Sequence, residues 1–218
     1  MRGFLRARHG GYRVRLRRPV RENVAVLVEH TAELLELSDR TDPAAAPPTD
    51  EHPLARLEQE LEAPVAVPVD PAVGRLLPPA SMDDEEIAVE FRRLTQTSLR
   101  ESKTAGLRRL RTALEDADAQ GWVEVPSADA PAVAAALTDV RLVLADRLGI
   151  RTDEDVEHLE ALMAVGGDEN RHWLAACFAL LGWLQESLVG LMLEDARAAA
   201  DVTRRGGPSG RSSDPAAG

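Results

Sequence analysis

Residues 173–192 read Trp-Leu-Ala-Ala-Cys-Phe-Ala-Leu-Leu-Gly-Trp-Leu-Gln-Glu-Ser-Leu-Val-Gly-Leu-Met, and from His172 to Leu193 the only formal charge is Glu186. Two apolar stripes keep helical spacing. One is Trp173, Cys177, Leu180, Leu184 and Leu191; the other is Leu174, Phe178, Leu181, Leu188 and Met192. A helix apolar on several sides is surrounded by partners, so this helix, over about 168–201, is expected at the centre of the fold. Ala175, Ala179 and Gly182 are small enough to let another helix approach closely. The run is also long enough to cross a bilayer. Gln185, Glu186 and Ser187 lie near its middle, however, and one central carboxylate costs about 2.5–3.5 kcal/mol to insert. The sequence therefore reads as a core helix, whose apolar surface could also supply a homodimer face.

Working outward, Gly166-Gly167 separates this helix from a shorter one over about Asp153 to Val165. Before that, Ser127 or Asp129 opens a helix carrying Val133, Leu137, Val140 and Leu144, which Gly149 stops. From Asp83 no proline occurs for more than forty residues, and Ile87, Phe91, Leu94 and Ser98, then Leu107, Leu110 and Leu114, keep helical spacing. Gly106 is a weak point in that helix. Gln120-Gly121 ends it, and Trp122-Val-Glu-Val125 reads as a short strand. Nine of the 14 prolines fall in residues 39–80, an irregular excursion that either moves freely or lies as a pad over the core. Pro19 opens a first helix to about Leu37, with Val20, Val24, Leu27 or Val28, and Leu34 on one face.

The amino terminus differs in charge and in period. The chain has 218 residues and a net charge of −11, with 26 Lys+Arg against 37 Asp+Glu. Eight of the arginines and no acid lie in residues 1–21, leaving the rest at a net of −19. Tyr12, Val14 and Leu16 alternate with Arg13, Arg15 and Arg17, and Leu5 and Ala7 alternate with Arg6 and Arg8. With Gly10-Gly11 as the turn, this is a β-hairpin over residues 1–18. If Tyr12, Val14 and Leu16 face the core, Arg6, Arg8, Arg13, Arg15 and Arg17 share one exposed face. That face is a candidate patch for phosphate or an acidic partner, or it docks on the chain's own acidic surface. An acidic body repels nucleic acid everywhere except at this arm, so DNA contact stays open there and nowhere else.

Motifs of chemistry are sparse. No two of the five histidines lie three or four residues apart. Glu169 and His172 have the Glu-x-x-His spacing of di-iron bundles, with Asp155 and His158 the only near copy. No phosphate-cradling glycine loop, Gly-x-Ser-x-Gly or Cys/His dyad is present. A helix-turn-helix over 153–180 would begin its recognition helix with Asp168-Glu169, which repel phosphate. Cys177, the one cysteine, sits on an apolar face and reads as an inert thiol; a redox role needs a second chain or a small thiol. Lone cysteine usage suits a reducing cytoplasm. Gln185 and Glu186 need partners if buried, and Asp139 and Arg141 are the candidates. An Arg141–Glu186 pair within a network including Asp139 is expected.

Three blocks, Phe91–Lys103, Asp139–Ile150 and Leu181–Val189, together with the basic hairpin and Arg75-Leu-Leu-Pro-Pro79, resemble an actinobacterial domain-of-unknown-function family. Some of its members carry the name AosR, an oxidative-stress transcriptional regulator. The blocks themselves read as packing motifs. The resemblance implies a cytoplasmic, non-enzymatic regulator without cofactor, acting on RNA polymerase through a sigma factor. A thiol switch within one chain would need two cysteines, and this chain has one. The sequence thus reads as a mainly α, single helical-bundle domain over residues 1–203, with a small amino-terminal β-hairpin and a disordered tail at 204–218. No metal site and no catalytic residue is assigned. Two other functions stand beside the regulator: a protein-interaction adaptor with no transcriptional role, and a helical metalloprotein using Glu169 and His172.

Overall fold

A computed structural model of the chain describes residues 2–40, 70–78, 85–157 and 168–205. Its elements are β1 (Leu5–Arg6), β2 (Tyr12–Arg15), α1 (Arg18–Arg40), α2 (Pro71–Leu76), α3 (Glu85–Glu115), β3 (Trp122–Val125), α4 (Ala130–Leu148) and α5 (Glu169–Arg205). A further helical turn begins at residue 153. The fold is mainly α, with a small antiparallel sheet. Of the excursion expected over 39–80, residues 41–69 and 79–80 lie outside the described residues, as do residues 158–165 of the expected short helix, the Gly166-Gly167 turn and the tail beyond residue 205.

The helix at the centre is α4, and not the final helix. Its buried residues include Val133, Ala134, Ala136, Leu137, Asp139, Val140, Val143, Leu144 and Leu148, which together wrap most of the helix and leave the Ala135 side exposed. It packs on α1, α2, α3 and α5. Alanine-rich stretches make this position available: a helix with small side chains on several faces can be approached closely from all of them. Gly106 shows the same economy from the partner's side. A Cβ there would stand 3.0 Å from the Ala132 carbonyl oxygen, so α3 runs unbroken through this glycine because α4 crosses it there. The chain leaves α4 through Gly149, at φ 75°, with Ile150 N–H donating to Ala145 O at 2.8 Å.

Helix α5 buries one stripe, Ala175, Cys177, Leu181, Leu184 and Leu188, which runs between the two stripes expected from sequence. Its most apolar 18-residue window has a mean hydropathy of 1.6, yet only 28% of that window is buried. By length and composition alone it is the one described helix able to cross a membrane. Glu186 is exposed on it. The two sequence stripes are each partly right because the contact line sits on their shared boundary; the flanks are left half-buried.

Residues 70–77 form a pad on the carboxyl-terminal half of α4. Ala72 and Leu76 are wholly buried. Asp70 caps α2 by accepting from Ala72 N–H at 2.9 Å, and the Arg147 guanidinium bonds both its carboxylate oxygens, at 3.1 and 2.7 Å. That cation holds the Asp70 carboxyl below its ordinary value. Arg75 donates to the Ile150 carbonyl at 2.9 Å.

Candidate functional site

The strand Trp122–Val125 joins the hairpin, giving the sheet order β1-β2-β3 with both pairs antiparallel. The register pairs Tyr12 with Val125, Arg13 with Glu124, Val14 with Val123 and Arg15 with Trp122. Side chains alternate between faces, so Tyr12, Val14, Val123 and Val125 turn to the core and all four are buried. Arg13, Arg15, Trp122 and Glu124 share the outer face. On β1, Leu5 pairs with Arg13 and Arg6 with Tyr12.

This register corrects the expected five-arginine face. Leu5 is 39% exposed on the outer face, whereas Phe4 is buried. Arg6 therefore projects on the same side as Tyr12, toward the end of α5. There its Nε donates to Asp195 at 2.8 Å and its Nη2 to Glu194 at 2.9 Å. The Tyr12 hydroxyl donates to the other Asp195 oxygen at 2.8 Å. The Arg6 guanidinium, and then the Tyr12 hydroxyl, hold the Asp195 carboxyl below its ordinary value, while burial raises the Tyr12 hydroxyl. A slip of one residue flips a whole strand face. Phe4, larger than Ala7, takes the core position and sets that slip. Its N–H donates to Ser187 Oγ at 3.1 Å, which ties β1 to α5.

On the outer face, the Arg13 guanidinium lies 4.5 Å from the centroid of the Trp122 ring. Arg15 Nε donates to the Gln120 carbonyl at 2.9 Å. Beside them opens a cleft of about 740 Å³ whose lining includes Arg2, Leu5, Arg15, Arg17, Gln120 and Trp122. Among the described residues no carboxylate lines it. Arg8 is exposed near the Gly10-Gly11 turn, at the far end of the hairpin.

The polar groups of α4 and α5 pair differently from the sequence expectation. Arg141 Nη1 donates to Gln185 Oε1 at 2.8 Å, and Gln185 Nε2 donates to Thr138 Oγ1 at 2.7 Å. The guanidinium also stacks 4.9 Å from the Phe178 ring centroid and passes over Gly182, where a Cβ would stand 3.3 Å from Cζ. Glu186 faces solvent one helical step away and makes no pair with Arg141. Asp139 bonds neither of them: Lys103 Nζ reaches its Oδ1 at 2.5 Å. The expected network thus resolves into two separate contacts, Arg141 with Gln185 and Asp139 with Lys103, and Glu186 joins neither, because α5 meets α4 along its Gln185 side and the lysine comes from α3.

Cys177 is 6% exposed, and burial raises its thiol above the ordinary value. Thiol reagents are therefore expected to modify it at least about tenfold more slowly in the folded chain than in urea; equal rates would show an accessible thiol. Glu169 and His172 stand at the start of α5, with His172 Nδ1 3.0 Å from the Asp168 carbonyl oxygen. Among the described residues no group of three or more His, Cys, Asp or Glu could hold a metal ion. His158 lies outside those residues.

A family model covers residues 1–192, from the hairpin through the buried stripe of α5. The chain belongs to the DUF2017 family, a domain of unknown function. No curated protein and no solved structure matches it. The matched span of this DUF2017 chain contains the cleft, Trp122 and the Lys103–Asp139 pair, whereas the Glu194 and Asp195 partners of Arg6 fall just beyond it. Of the site, sequence reasoning missed Trp122. Its signal was its place in a Trp-Val-Glu-Val alternation, which puts the indole on the polar face of a strand.

Proposed function

We propose that this DUF2017 protein is a non-enzymatic cytoplasmic regulator that works by contact with a partner protein, using the outer face of its three-stranded sheet. The observation that carries this reading is the cleft beside Trp122, rimmed by Arg2, Arg15 and Arg17 on a chain whose net charge is −11. A cationic rim around exposed apolar surface favours protein recognition: arginine and tryptophan are enriched where interfaces concentrate their energy. The resemblance of the three packing blocks to AosR-named regulators supports RNA polymerase or a sigma factor as the partner. With one buried cysteine, the regulation runs through this contact and not through a thiol switch within the chain.

The test is purification of the tagged protein from its native host, with and without peroxide, followed by mass spectrometry of what is retained. RNA polymerase or a sigma factor is expected with the wild-type chain, and at least about tenfold less with Arg15→Glu/Arg17→Glu. Equal recovery with both chains, or recovery of unrelated enzymes alone, would overturn the reading.

A further inference from the structure

From the same cleft we infer the chemistry of its occupant: a short acidic protein segment that carries one large apolar side chain. This inference rests on the regulatory reading above and narrows it to a ligand that can be synthesised.

Charge selects the acidic segment. Arg2, Arg15 and Arg17 line the cleft, and none of them makes an ion pair with a described residue. Arg15 is held in place through its Nε bond to Gln120 O, which leaves its outer nitrogens for a ligand carboxylate. A guanidinium fork suits a carboxylate in two-point contact. Between these cations the surface is apolar. Leu5 is 39% exposed and Trp122 is half-buried, both on the outer face by the register of β1 and β3. An aliphatic or aromatic side chain laid between them removes apolar surface from water on both partners.

A nucleic acid fits this surface less well. A phosphate backbone needs a track of cations, and here the track is short. Arg6, which would extend it along the hairpin, is turned to the opposite face and neutralised by Glu194 and Asp195. Glu124 lies directly across from Arg13 on the outer face and breaks the track on the other side. Beyond residue 21 the chain carries a net of −19, which repels a long polyanion. One face of the Trp122 ring is already covered by Arg13, which removes half of the surface that a base would stack on.

The probe is a seven-residue peptide of aspartate and glutamate with one central phenylalanine, fluorescently labelled and titrated with the full chain. Saturable binding is expected, weakened several-fold as salt rises from about 50 to about 300 mM. Replacing the phenylalanine with glycine should reduce affinity about tenfold, the cost of about 1.4 kcal/mol of apolar contact. Arg15→Glu/Arg17→Glu should abolish binding, while Arg108→Glu, outside the cleft, should leave it unchanged. Circular dichroism checks that both variants fold, and Arg17→Glu alone serves if the double variant does not. Absence of binding, equal binding of the glycine peptide, or insensitivity to charge reversal would overturn the inference. So would a single-stranded oligothymidine of about twelve nucleotides that bound more tightly through the same arginines. If the peptide fails while the purification above still loses its partner on charge reversal, the regulatory reading stands and only the ligand assignment falls.

Discussion

Lys103→Met is expected to destabilise the protein by about 3–5 kcal/mol, the range for breaking a buried ion pair from one side. Asp139 is 3% exposed, and Lys103 at 2.5 Å is the cation on it. Removing the lysine leaves a carboxylate inside the α3–α4 packing with nothing to offset its lost hydration. The pH dependence gives the sign. Burial pushes the Asp139 carboxyl above its ordinary value of 3.8, and Lys103 opposes that push. A carboxyl raised in the folded state binds its proton more tightly there than in the unfolded chain. Stability from this group is therefore fully present below the unfolded value and is lost as pH rises through the folded one. Without Lys103 the upward push is unopposed, so the deficit of Lys103→Met relative to wild type should shrink on acidification. Urea unfolding at pH 7 and pH 5 measures it. Adding Asp139→Leu should recover most of the loss at pH 7. A deficit under about 1 kcal/mol, or one that grows with acid, would show that the pair is not a buried contact.

Leu181→Ala should cost about 2–5 kcal/mol and Leu180→Ala clearly less, although the two neighbours are chemically identical. Leu181 is fully buried in the contact between α4 and α5, whereas Leu180 is only half-buried. For a chain of this size each kcal/mol shifts Tm by about 2–4 °C. The comparison separates two architectures: a final helix enclosed on all sides would make both substitutions costly, and a helix packed along one stripe makes only Leu181 costly. Calorimetric melts of the two variants decide it, and equal losses would restore the enclosed arrangement.

That contrast also marks where the sequence was legible. The helices, the glycine stop at Gly149 and the Tyr12-Val14-Leu16 alternation could be read from periodicity, because local backbone geometry alone sets those patterns. Which helix lies at the centre could not. The long uncharged run pointed to α5, but centrality depends on how many neighbours can approach, and the alanines of α4 let α1, α2, α3 and α5 all pack on it. Periodicity could not fix the register of β1 either. Leu5/Ala7 and Phe4/Arg6 offer opposite faces, and the choice depends on Ser187, Glu194 and Asp195, more than 180 residues away. The same limit separated Arg141 from Glu186. Adjacent positions on a helix point about 100° apart, and only the packing angle of α5 decides that Gln185 meets the guanidinium. The cleft was half visible, since its arginines stood out by charge, but Trp122 joined them only through pairing across 107 residues of chain.

The most direct measurement of the central claim is photo-crosslinking inside the native host, with the reactive side chain placed at Gln120 in the cleft and, as a control, at Ala176 on the exposed side of α5. The expected result is an adduct from position 120 alone, mapping by mass spectrometry to an acidic, aromatic-containing segment of RNA polymerase or a sigma factor. Adducts to nucleic acid, or the same adducts from both positions, would contradict a regulator that recognises its partner through the basic face of the sheet.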